Sequence, residues 1–472
     1  MEKDVVEGGG GCQGWPLAPQ CLIWIWCRNH GCRNDTKVIS GKTRMTDGTP
    51  FAKNRRSTTT NDNRKRCNMN KQRNRFGLRI SSILMLGALV DGVYADAYRN
   101  PAPTAEGIAK AGANMIFSDD ASAISYNPAN LAFQTNASVV VAAAFARAEY
   151  TYSPAPGVDI VSDDPWVMLP NLYVSMPISD GLVAGLGITT PYGQGIDWGS
   201  TALIPPPFVP VTAPILYKAE IALININPTI AMKIGDSFSV GIGADIYYSE
   251  LTFNAQIPVT PPPPPQTLVD ANAKGTDWGI GGNIGLTWQM TENQRAAFSY
   301  RSQINMDYEG DFSLGGDFAT TVKYPNTLGV GYGIQITDTV QVEALLEWSE
   351  WSVNDVQTVT AGPLPLPPQE NNWDNTITAA IGGSWQFADS WTIRSGYSFI
   401  ESPIPDATIT PLLPDTDRHI IGLGLGYTVA GHTIDLSYSH TIYADRTSTN
   451  PAYPGTYDID SNLVGVTYSF SF

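Results

Sequence analysis

Along residues 137–472 apolar and polar side chains alternate with a period of two, the pattern of strands whose two faces meet different surroundings. Phe238, Val240, Ile242, Ala244, Ile246 and Tyr248 share one face, while Ser239, Gly241, Gly243, Asp245 and Tyr247 share the other. Trp278, Ile280, Ile284, Leu286 and Trp288 alternate with Gly279, Gly281, Asn283, Gly285 and Thr287. Ile421, Leu423, Leu425 and Tyr427 alternate with glycines, and Val464, Val466, Tyr468, Phe470 and Phe472 close the chain. The polar faces are mostly Gly, Ser, Thr and Asn with scattered charge, and aromatics gather at strand ends. That combination predicts lipid outside and a polar lumen inside. A closed barrel is the strand architecture that pairs every backbone amide within a bilayer.

The connections alternate as well. Six short ones fall at Ser179–Gly181, Gly235–Asp236, Thr291–Asn293, Thr337–Thr339, Ala388–Ser390 and Ala430–His432. Seven long ones fall near 151–167, 193–217, 254–274, 305–319, 354–372, 400–416 and 444–459, several rich in proline. Together they predict an all-β, 14-stranded antiparallel transmembrane β-barrel over 137–472, with short periplasmic turns and long outer loops. No run after residue 95 reaches the 18 apolar residues of a spanning helix.

Ahead of the strands, Asp119–Leu131 is rich in small residues. Asp120 can cap a first helical turn, and Asn127-Pro128 should stop it, because a residue before proline avoids the helical region. Residues 96–136 are therefore expected to form a compact N-terminal hatch plugging the lumen. Before them, Lys71–Arg79 is a basic run, Ile80–Val90 an apolar core, and Val93-Tyr94-Ala95 and Ala95-Asp96-Ala97 are small-x-small patterns, which makes 69–95 a secretory signal peptide. A signal lies at the start of a chain, so Met69 is the expected start, with 1–68 a miscalled beginning or a disordered leader.

Composition sharpens the division. All five cysteines lie before residue 70. Residues 1–95 carry a net charge of +9 and the remainder −25. A body that acidic disfavours nucleic acid, whose binding requires phosphate neutralisation. After the signal the only histidines are His419, His432 and His440, and His440 has lipid-facing phase. No nucleophile motif adjoins them, no spacing suggests a metal or cofactor, and the Gly-x-Gly runs at Gly241, Gly329 and Gly422 lie inside strands, so an enzyme is not expected. Basic residues are scarce in the body, and strand phase turns Arg301, Arg394 and Arg418 inward. Each either meets a ligand carboxylate through charge-assisted hydrogen bonds or pairs with an inward Asp245, Glu343, Glu347 or Asp435.

In order along 98–472, several stretches resemble the FadL/TodX-type outer-membrane transporters of long-chain fatty acids and other hydrophobic compounds. Asp119-Asp120-Ala-Ser with Tyr126-Asn127-Pro128-Ala129 is similar to that family's hatch motif. Pro170–Asp180 followed by Thr190-Pro191-Tyr192-Gly193 resembles its second and third strands, and Trp391–Gly396, Glu401–Pro405 and Pro414–Arg418 its eleventh and twelfth. The resemblance implies capture of a hydrophobic small molecule by outer loops, passage to a lumen pocket, and lateral exit where the third strand kinks against the hatch. It assigns the kink to Pro191, Tyr192 and Gly193, and the facing hatch turn to Asn127, Pro128 and Ala129. Pro191 lacks an amide and Gly193 tolerates unusual dihedrals, as an interrupted ladder requires. Phe472 matches the aromatic end read by barrel-assembly machinery. The expected setting is the outer membrane of a Gram-negative bacterium, with its lipid and lipopolysaccharide as surroundings and a monomeric barrel. A general diffusion porin, with an open lumen, and an adhesin-like structural barrel are the alternatives.

Overall fold

A computed structural model describes residues 96–163, 166–205, 211, 213–260 and 266–472. The expected leader (1–68) and signal peptide (69–95) lie outside the described residues. The chain forms a closed antiparallel barrel of 14 strands. In chain order they are β1 (Ser138–Ala155), β2 (Val167–Ser179), β3 (Leu182–Thr189 and Gly193–Asp197), β4 (Ile215–Ile234), β5 (Phe238–Pro258), β6 (Leu268–Thr291) and β7 (Gln294–Arg301 and Ile304–Phe312). There follow β8 (Asp317–Tyr324 and Thr327–Thr337), β9 (Val340–Ser349), β10 (Thr376–Ala388), β11 (Trp391–Ile400), β12 (Arg418–Val429), β13 (His432–Tyr443) and β14 (Gly455–Ser471). Closure is a long register of β14 on β1, from Ser138↔Ser471 to Ser153↔Thr456. The six short turns stand where the alternation breaks in the sequence.

Polarity inverts along single strands. Near the short turns Phe238, Ile242, Trp288 and Leu286 are exposed on the outside, while inward Ser239 and Asp245 are buried. Toward the long loops the inside becomes apolar: Tyr247, Leu251, Met306, Tyr308, Phe318 and Tyr324 belong to one buried cluster. There the outer face carries exposed Asn305, Asp307 and Glu309. This corrects several expected loops, since strand also enters 151–167 as far as Ala155, 193–217 at Gly193–Asp197 and from Ile215, and 444–459 from Gly455. Strand continues through most of 305–319, leaving a turn between Phe312 and Asp317, and β5 and β6 extend into 254–274 as far as Pro258 and from Leu268. Above the bilayer the outside is water and the inside a packed core, so the period persists with its faces exchanged.

Residues 96–136 lie within the barrel. Helix α1 (Ala105–Ala109) starts at Thr104, whose hydroxyl accepts from the Gly107 amide. It ends where Ala111 and Gly112 take positive φ. A second turn, α2 (Ala123–Tyr126), stops at Asn127, which is extended (φ −153°) ahead of Pro128. Asp120 acts one step earlier than expected: its carboxylate accepts from the Ser122 amide (2.8 Å) rather than from within the helix. A 3₁₀ turn, Pro128–Phe133, completes the hatch, and the Asn127 side chain caps it by accepting from the Ala129 amide (3.1 Å). Helix α1 packs on β11–β14 and β1, and the 3₁₀ turn on β4–β6, so the hatch reaches across the lumen between facing walls.

Candidate functional site

A break in the wall is built from register. The first half of β3 pairs with β2 on one side, from Leu172↔Ile188 to Ser179↔Leu182, and with β4 on the other, ending at Thr189↔Asn225. Its second half pairs with β4 alone, beginning at Gly193↔Ala222. Between those pairs β3 spends three residues, Thr190, Pro191 and Tyr192, where β4 spends two, Leu223 and Ile224. The extra residue turns β3 away from β2, whose residues Val167–Asn171 keep a ladder to β1 only. The proline cannot donate to a ladder, which makes it tolerable at this point.

The hatch supplies what the missing ladder would have. Its first residues form a strap inside the gap. The Asn100 amide donates to the Pro191 carbonyl (3.0 Å), the Gly193 amide to the Tyr98 carbonyl (2.9 Å), and the Asn100 side chain to the Thr190 carbonyl (2.9 Å). From β2, Asn171 accepts from the Thr190 amide (3.1 Å) and donates to the Pro103 carbonyl (3.2 Å). The Tyr98 ring lies among Tyr324, Trp351 and Trp373, with centroids 5.4–6.1 Å away. Tyr192 turns inward, 4.5 Å from the Tyr324 ring. A lumen cavity of about 220 Å³ reaches this gap, and its lining runs from Asn171, Thr190 and Tyr192 across to Arg301 and Leu463.

The second expected cluster, Asn127-Pro128-Ala129, is fully buried but sits against another wall. Asn127 donates to Thr287 Oγ1 (2.8 Å), and that hydroxyl donates to Asn130 Oδ1 (2.7 Å). Asn130 in turn donates to the carbonyls of Met115 and Ile116 (3.0 and 3.1 Å). The turn seats in a trench floored by Gly241 and Gly285; a Cβ at Gly241 would overlap the Pro128 carbonyl, and one at Gly285 the Asn127 side chain. The structure therefore does not bring Asn127-Pro128-Ala129 onto the β3 kink; the strap residues Tyr98–Asn100 occupy that place. Gly285→Val should unseat the turn, costing roughly 1–3 kcal/mol. The expected readouts are a lower temperature for the heat-induced gel-mobility shift and larger ion conductance in planar bilayers.

All three singled-out arginines point inward and are paired. Arg301 pairs with Asp245, which is completely buried and also accepts from Asn225, Asn227 and Asn283. Arg394 pairs with Asp435 (2.5 Å) and lies 3.5 Å from Glu106. Arg418 pairs with Asp415 (3.1 Å), a partner absent from the carboxylates expected for it. Burial pushes the Asp415 carboxyl up to about 6, against the pull of Arg418 and with Asp96 close by.

Other residues of the site carried a weaker mark in the sequence. Arg99 makes a two-pronged pair with Glu347 and lies 3.8 Å from Asp96, which accepts from the Trp351 indole (3.0 Å). Lys110, the only lysine in residues 96–217, is buried between Glu106 (2.8 Å) and Glu343 (2.7 Å). Its isolation in an acidic stretch was the available signal. Burial lowers the affinity of Lys110 for its proton, but the two glutamates outweigh that and shift it upward. Burial raises the Glu106 carboxyl, yet Lys110 and Arg394 bring it down to about 2. At the short-turn end Arg295 grips Asp119 (2.7 Å) and stacks over Phe133. Among the described residues no group of three His, Cys, Asp or Glu side chains is placed to hold a metal ion.

Comparison with known proteins agrees with this architecture. The family model described as outer membrane protein transport protein (OMPP1/FadL/TodX) matches residues 90–472. A long-chain fatty acid transport protein of Salmonella typhi is 23% identical over 68% of this chain and 82% of its own length. A putative outer membrane protein of Neisseria meningitidis serogroup B is 24% identical over 83% of this chain and 98% of its own. Among solved structures, a Pseudomonas aeruginosa FadL homologue superposes with a TM-score of 0.70 at 19% identity, over 79% of this chain and 99% of that one. The Pseudomonas putida toluene transporter TodX superposes with a TM-score of 0.62 at 15% identity, over 79% of this chain and 99% of that one.

Proposed function

We propose that this chain, which belongs to the OMPP1/FadL/TodX family of outer-membrane transport proteins, carries hydrophobic small molecules from the cell surface into the outer membrane, by way of the lumen cavity and then sideways through the gap in β3. The substrate classes are those named for its relatives, long-chain fatty acids and aromatic hydrocarbons, together with aliphatic hydrocarbons. The observation that carries the reading is the coincidence of three features: a cavity, a wall gap at Pro191-Tyr192-Gly193, and a hatch that closes the straight path.

The physics favours the sideways route. Each CH₂ kept out of water is worth about 0.8 kcal/mol, so an apolar molecule gains by passing from a packed interior directly into lipid. The strap is held across the gap by three hydrogen bonds to β3, of which two are backbone to backbone and therefore indifferent to side-chain identity. A ligand in the cavity touches Asn100 and Arg99 and so reaches the strap directly. Asn127-Pro128-Ala129 serves this scheme as the fixed seat about which the strap end of the hatch moves.

The remaining assignments follow from the same reading. The protein is a monomeric barrel without enzymatic activity, its exposed apolar outer face meets membrane lipid, and its polar upper outer face meets lipopolysaccharide. The C-terminal strand ending at Phe472 is the segment that assembly machinery engages. Proteoliposomes decide between a transporter and a porin. Uptake of labelled toluene well above that of protein-free vesicles, with sucrose retained, is the expected result; sucrose leakage without hydrophobic uptake would replace the reading with a porin.

A further inference from the structure

We propose that the lumen cavity selects uncharged apolar molecules and rejects their carboxylates, because every cation that lines it is already held by a carboxylate of this chain. The proposal rests on the transport reading and narrows its substrate class.

Among the described residues three cations line the cavity: Arg99, Arg301 and Arg418. Arg99 grips Glu347 with both guanidinium ends, Arg301 pairs with Asp245, and Arg418 with Asp415. Asp96 lies beside Arg99 as a fourth carboxylate. Three arginines thus face four acidic groups. The remaining polar lining is hydroxyl and amide, as at Ser125, Asn171, Thr190 and Thr327, which a neutral molecule can meet without charge.

A ligand carboxylate here must either share a guanidinium whose charge a carboxylate of this chain already balances, or displace that partner. Asp245 and Asp415 are wholly buried, so a displaced carboxylate would lose its cation away from water and would have to stay unpaired or take up a proton, each at a cost. Asp245 is pinned further by three asparagine amides and cannot swing aside without breaking them. The least buried pair, Arg99–Glu347, is the one place where a carboxylate could be accommodated after a change of sequence.

A matched ligand pair tests this. The full-length protein in nanodiscs at pH 8 is titrated with laurate and with methyl laurate, each displacing the neutral fluorophore N-phenyl-1-naphthylamine, with partition into protein-free nanodiscs subtracted. Methyl laurate is expected to displace the probe at concentrations on the order of a hundredfold below laurate, the penalty of taking a carboxylate out of water into a lining whose cations are already neutralised. Glu347→Gln, which removes the nearer of the two carboxylates beside Arg99 while keeping a hydrogen-bond acceptor, should bring laurate to within about tenfold of the ester. Asp245→Asn serves as the second variant, and the heat-induced gel-mobility shift verifies folding of both. Equal displacement by acid and ester in the unaltered protein overturns the selectivity while leaving hydrophobic transport standing. Displacement by neither overturns the transport reading, and the selectivity with it.

Discussion

Lys110→Met is expected to lower the stability of the folded barrel by roughly 3–5 kcal/mol, the range for removing one partner from a buried ion pair. Lys110 is 1% exposed, and its ammonium lies 2.8 Å from Glu106 and 2.7 Å from Glu343, itself 3% exposed. Methionine fills much of the same volume, so the loss is electrostatic: Glu343 keeps one hydrogen bond, from the Ile116 amide, and no cation. The measurement is the midpoint of the heat-induced gel-mobility shift, together with sucrose leakage from proteoliposomes, because the same lysine ties the hatch to β9. Lys110→Met combined with Glu343→Leu should recover most of the midpoint, since a buried pair replaced by apolar side chains of similar size is often neutral. A single variant that melts with the unaltered protein would refute the pairing. The sign with pH follows from Glu106. Its carboxyl sits near 2, below the ordinary glutamate value, so its stabilising contribution is present above about pH 4.5 and is lost as the pH falls through 2. In the Lys110→Met variant that loss should begin at higher pH.

Deleting Pro191 is expected to abolish hydrophobic uptake, by an order of magnitude or more, while leaving a folded barrel. The register gives the reason. Three β3 residues oppose two β4 residues between Thr189↔Asn225 and Gly193↔Ala222. Removing one restores a one-to-one count, so Gly193–Asp197 could continue the ladder on β2 and close the wall. The ladders of β3 with β2 and β4 are kept and the new β2 ladder replaces the strap bonds at Pro191 and Gly193, so the melting midpoint should hold or rise. Deleting Ser313, in the turn between β7 and β8 and far from the gap, is the control for shortening the chain. Uptake that survives the Pro191 deletion would show that the ligand leaves elsewhere, and the wall gap would lose its role.

The period-two alternation was enough to define the barrel, its six short turns and the lipid-facing side of each strand, because in a bilayer the outer face has one solvent and every strand must satisfy the same rule. The stop at Asn127-Pro128 was also legible, since proline restricts its own neighbour whatever surrounds it. Inward phase at Arg301, Arg394 and Arg418 followed from the same period. Their partners did not. Asp415 comes from a loop, and which carboxylate reaches which arginine depends on the packing of strands far apart in the chain. The trench glycines show the same limit: at Gly241 and Gly285 the sequence offered small lumen residues, and only the seated hatch explains why nothing larger fits. The strap was hidden because its hydrogen bonds are largely backbone to backbone and leave no residue type to read. Where the outside turns from lipid to water the pattern inverts, so the strands within 305–319 look like loop in the sequence. Local alternation reports the solvent on each face; it carries no information on which distant segment fills the inside, and that choice belonged to the tertiary structure.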